Sequence, residues 1–177
     1  MFEGCKVHYN VDECRLILAP LMVGWYWCLY VWDFERQMIV VLDPLNMNLE
    51  RNVLAEKHRR SLTLMHSAMC ECSKMFFGER IDLEDNWKTE FVSMVGASCE
   101  SYNTGIYVMF YARYFDGEFI TRVLTKGASR LQKLNILYQM LTMNGNEGDP
   151  PTWIMESHSK RRPAVEMIEG EYLLSDA

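Results

Sequence analysis

The chain has 177 residues, of which 49% are hydrophobic and 24% charged, enough for one ordinary globular domain with a sizeable core. A formal net charge of -6 excludes a surface built to neutralise phosphates, so neither nucleic acid nor an anionic membrane is expected as a partner. Six cysteines stand behind an opening stretch that does not read as a signal peptide, which points to reduced thiols and an intracellular setting, cytoplasmic or nuclear.

The first elements are crowded together. Residues 16 to 32, "LILAPLMVGWYWCLYVW", are uncharged throughout, yet a membrane helix would have to contain Pro20 and Gly24. Strands at 16–22 and 26–32 with those residues at the break fit better. The charged turn Asp33 to Gln37 leads to a third strand at 37–42, "QMIVVL", and this nearly unbroken apolar density predicts a sheet covered on both faces.

After Pro44 the period lengthens. Leu49, Val53, Leu62, Met65, Met69, Cys72 and Phe76 recur near helical spacing, with Glu56, Lys57, Arg59 and Arg60 on the other side, so an amphipathic helix is expected over 48–76. Cys70 and Cys72 near His58 and His66 do not have zinc-finger spacing, and no metal or cofactor is expected. A fourth strand is expected over 87–95. A helix buried all round is expected from Gly105 to Phe115, started by a cap at Asn103 or Thr104. A further helix spans about 121–143, with Lys126, Arg130 and Lys133 facing out. From residue 144 the apolar density falls, "NGNEGDPP" breaks the pattern, and 144–177 reads as a polar tail behind a single domain over 1–143. The basic run "SKRRP" at 159–163 reads as a solvated patch. No repeat, glycine-rich phosphate loop or G-x-S-x-G elbow occurs.

The order of these elements carries a resemblance. "WYWCLYVWD", then "VVLDPL", then "NTGIYVMFYARYFDG" resembles the ubiquitin-like protease family, the cysteine peptidases that process SUMO, and looks most like divergent, transposon-associated members of plant genomes. The resemblance implies an α+β fold of the papain-like cysteine peptidase superfamily: a central mixed sheet flanked by helices, with one buried central helix. It places Tyr26 where the family has its histidine, Asp43 at the orienting acid, Thr104 at the nucleophile, Asn103 at the acid before it and Ser98 at the oxyanion glutamine. The family's upstream substrate-gripping segment is expected to be largely missing.

These substitutions decide the expected chemistry. A phenol with an ordinary pKa of about 10 is no neutral-pH base, and an internal threonine has neither a base nor a terminal amine to activate it. No catalytic residue is therefore expected. Asp43 is expected to accept a hydrogen bond from Tyr26 and serve structure, while Tyr26 and Trp27 line a vestigial groove. As bare residues, Tyr26 reads as a strand aromatic, Asp43 as a turn residue and Thr104 as a helix cap. Cys99 is a candidate displaced nucleophile, but His8, His58, His66 and His158 all fall outside the matched site. The expected function is that of an inactive, protease-like module that sequesters, redirects or neutralises another protein, a ubiquitin-like protein among the candidates. The alternative is an active deSUMOylase-like peptidase with unorthodox residues.

Overall fold

A computed structural model describes residues 13–45, 49–76, 87–92, 99–146 and 148–156. Ser98, His8, His158, the 159–163 run and the end of the expected fourth strand lie outside the described residues. The fold is α+β, a four-stranded mixed sheet flanked by helices.

Strands β1 (Leu16–Val23), β2 (Tyr26–Asp33) and β3 (Met38–Leu42) form an antiparallel meander, and β4 (Lys88–Phe91) joins β3 in parallel, giving the order β1-β2-β3-β4. The first hairpin turns at Gly24 and Trp25, with Val23 opposite Tyr26, and Gly24 takes a φ of +63° that an L side chain would strain. Pro20, expected at the break, instead sits inside β1 opposite Leu29. It is tolerated there because β1 is an edge strand.

The second turn is organised by Asp33, which is fully buried. Its Oδ1 accepts from the backbone N–H groups of Glu35 and Arg36 at 3.1 Å each, and Arg15 Nη2 donates to Oδ2 at 2.9 Å. Burial alone would push this carboxyl up, but the Arg15 guanidinium and the two N–H groups outweigh it and hold the pKa below the ordinary range.

Alternation along β2 explains how one strand supports two cores. Leu29 and Val31, with Val40 and Leu42 of β3, face α2 (Thr104–Tyr114); Cys28, Tyr30 and Trp32, with Ile39 and Val41, face α1 (Arg51–Phe76). Neither face is left to solvent, as the apolar density of the strands predicted.

Three sequence expectations change in detail. On α1 the inward line is Leu54 and His58, both buried, and Leu62, partly buried, while Val53 and Cys72 are exposed and Lys57 turns inward instead of outward. Helix α2 is not buried all round: Met109, Ala112 and Arg113 form an exposed stripe at helical spacing. Helix α3 (Lys126–Thr142) starts later than 121, because a bridge between Phe115 and Ile120 occupies the preceding chain and Thr125 caps the helix by accepting from Ala128 N. In the described part of the polar tail, residues 152–156 form a helical turn that buries Ile154. No described helix is long and apolar enough to cross a membrane, and none of the described cysteines is in a disulfide.

Candidate functional site

Tyr26 and Trp27 open β2, Asp43 follows β3, and Thr104 begins α2. The sheet and helix bring these three segments to one place. The backbone N–H of Trp27 donates to Thr104 Oγ1 at 2.9 Å, tying the start of α2 to the residue beside Tyr26. Gly105 packs against the same residue: a Cβ there would lie 3.4 Å from Cδ1 of the Trp27 indole, an ordinary van der Waals contact.

Thr104 is sealed. It is 1% exposed, and besides accepting from Trp27 its hydroxyl donates to the Ser101 carbonyl at 2.9 Å. The hydroxyl proton is thus committed to a backbone oxygen, and no imidazole stands next to it among the described residues. Asn103 is the N-cap of α2 without a side-chain capping bond, because its Oδ1 accepts from Lys133 of α3 instead.

Asp43 is sealed in another way. Its Oδ1 accepts from Leu45 N at 2.8 Å, and Oδ2 accepts from Lys57 Nζ at 2.7 Å and from His58 Nε2 at 2.9 Å. The expected donor, the Tyr26 hydroxyl, is not among its partners. Lys57 stands between them, its ammonium 4.7 Å from the centre of the Tyr26 ring and hydrogen-bonded to the carboxylate. Burial pushes the Asp43 carboxyl up, but His58, Lys57 and the Leu45 N–H prevail and hold it below the ordinary range. Burial likewise raises the Tyr26 phenol, which Lys57 only partly offsets.

The tautomer of His58 follows from its neighbours. An ionised carboxylate only accepts, so Nε2 carries a proton toward Asp43, and in the neutral ring Nδ1 then accepts from the Tyr30 hydroxyl at 2.7 Å. His58 is therefore part of the site, although the sequence placed it outside. The available signal was its register: a histidine four residues from Leu54 and four from Leu62, within the stripe that faces the sheet.

Cys28 completes the cluster. Its sulfur, a His58 ring nitrogen and an Asp43 oxygen lie within 4.8 Å of one another, a set of metal-ligand types on three elements. The residues do not fit a metal: no fourth described histidine, cysteine or acid joins them, and the carboxylate charge already faces the Lys57 ammonium. Burial, followed by the Asp43 charge, drives the Cys28 thiol far up and keeps it protonated. Cys99 is no better placed for attack. Burial and the Glu100 charge push its pKa up to about 11, and its thiol donates to the Glu100 carbonyl at 3.4 Å. Neither thiol has the depressed pKa of a reactive cysteine.

The fold is similar to that of a ubiquitin-like protease domain. The chain superposes with a TM-score of 0.51 on the C-terminal Ulp1 protease domain, whose crystal structure is a complex with Smt3, the yeast ortholog of SUMO. The match has 18% sequence identity and covers 76% of this chain but 55% of that domain, so the chain spans about half the length of the protein it resembles. No protein-family model matches the chain, and no curated protein does.

Proposed function

We propose that this chain keeps a ubiquitin-like protease fold without peptidase chemistry and works by binding another protein. The observation that carries the reading is Thr104, which stands at the helix start where the resemblance puts the nucleophile, with its proton donated to a backbone carbonyl and its oxygen accepting from a backbone N–H. The acid at Asp43 has no catalytic imidazole to orient; it holds a lysine and a core histidine.

The binding surface is the hairpin beside that closed site. Trp25 is 94% exposed at the turn, and the cross-strand pair Met22 and Trp27 is also open to solvent. Exposed aromatics gathered at one hairpin are costly to leave in water and suit a protein contact. A ubiquitin-like protein is the first partner to test, because the Ulp1 domain of the same fold was crystallised with one.

The test is to incubate the chain with SUMO and with ubiquitin, each carrying a thiol-reactive C-terminal group, and to read covalent adducts by intact mass alongside reversible binding. The expected result is no adduct, with binding that Trp25→Ala weakens. An adduct mapped to one cysteine, Cys99 foremost, would overturn the inactive reading. Absence of binding to both would remove ubiquitin-like proteins as the partner.

A further inference from the structure

Next to Asn103, the turn at Ser101–Asn103, the first turns of α2 and the N-terminal half of α3 line an open cavity of about 620 Å³. That volume falls within the roughly 300–1,000 Å³ of small-molecule sites. Nothing proposed above for the hairpin uses this cavity, and it stands independently of that reading.

Its lining has an uneven chemistry. Arg130 and Lys133, one turn apart on α3, bring two cations to one wall. Lys133 is held in place by Asn103 Oδ1 and lies 5.7 Å from the centre of the Tyr102 ring. Arg130 makes no hydrogen bond or ion pair with another described residue, so its guanidinium fork is available to an incoming oxyanion. Tyr102, 76% exposed, and the buried Tyr107 supply ring surface. Glu100 is the acid of the lining, and the Tyr102 hydroxyl donates to it.

We infer that this cavity binds a small molecule carrying one phosphate on a planar ring system, of the nucleoside monophosphate class. The phosphate meets Arg130 and Lys133, and the ring lies on Tyr102. Two cations against one carboxylate leave the lining net positive, which favours an oxyanion. A polyphosphate would crowd several negative charges around Glu100, so the site disfavours it.

The experiment is calorimetric titration of the full chain with AMP, adenosine, inorganic phosphate and ATP at low ionic strength, repeated on Arg130→Gln and Lys133→Met. Arg130 is exposed, so the first substitution leaves the fold intact. AMP is expected to bind more tightly than the other three ligands, and Arg130→Gln to weaken it by about tenfold or more, the usual scale for losing a charge-assisted contact. Three results would overturn the inference: no AMP binding, AMP binding unchanged in both variants, or phosphate alone binding as tightly as AMP.

Discussion

Asp43 and Thr104 are both closed to solvent, but different kinds of partner close them. Thr104 is held by the backbone of its neighbours, Trp27 N–H and Ser101 C=O. Asp43 is held by side chains from α1, Lys57 and His58, and by one N–H from its own turn. The Thr104 hydroxyl makes one tie between α2 and β2 and one to its own turn. A buried carboxylate with an ammonium and an imidazole on one oxygen is instead a junction, joining β3 to α1 and, through His58 and Tyr30, to β2. Thr104 is thus a clasp and Asp43 a hub.

The difference can be broken at the hub first. Asp43→Ala leaves Lys57 and His58 facing an empty site, and the expected loss is about 3 kcal/mol, the lower end for breaking a buried pair, because Lys57 can still reach water. A fall in the urea midpoint with unchanged slope would register it. Asp43→Asn keeps the shape and recovers part of the loss. If Asp43→Ala cost no more than an exposed substitution, the hub would be an accident of packing.

Acid separates hub and clasp a second time. The folded pKa of Asp43 lies below its unfolded value of about 3.9, so its contribution is present above that pH and is lost as pH falls through the folded pKa. Unfolding curves at successive pH values should show wild type and Asp43→Asn converging as the solution becomes more acidic. Asp33 titrates in the same direction, but it is common to both proteins and cancels in the difference. Thr104 has no charge to lose, so Thr104→Val should run parallel to wild type over the same range.

Thr104→Val itself should cost about 1–3 kcal/mol, since the Trp27 N–H loses its acceptor in a nearly solvent-free position. Thr104→Ser, which keeps the hydroxyl, should cost less, and equal losses for the two would mean that the methyl packing matters more than the clasp. The smallest effect is expected at Glu56, whose ion pair with Arg59 lies on the exposed side of α1. Glu56→Ala should stay within about 0.5 kcal/mol of wild type, setting the baseline for that helix.

Much of the frame was legible because it follows from periodicity. The three meander strands, α1 and α2 fall within a few residues of their expected positions, since apolar runs and a change from period 2 to period 3.6 locate them. The start of α3 was harder to read, because Val123 and Leu124 continue the apolar pattern through a segment that the Phe115 to Ile120 bridge makes non-helical. At the site, Thr104 next to β2 was legible from the order of motifs. The partners of Asp43 were not, because Lys57 reads as the solvent side of an amphipathic helix and His58, weighed only against metal spacing and the family motifs, falls outside the matched segments. A charge on a helix is ordinarily solvated, and only the three-dimensional position of the Asp43 carboxylate reverses that expectation.

Cys28 has a practical consequence of its own. Its side chain is wholly enclosed between β2 and α1, whereas Cys72 on the outer face of the same helix is exposed. An alkylating reagent therefore meets Cys72 in the folded chain and Cys28 only when the sheet and helix part. The protein carries its own clock for that opening, and the ratio of labelling at the two thiols reads how often the sheet and helix separate.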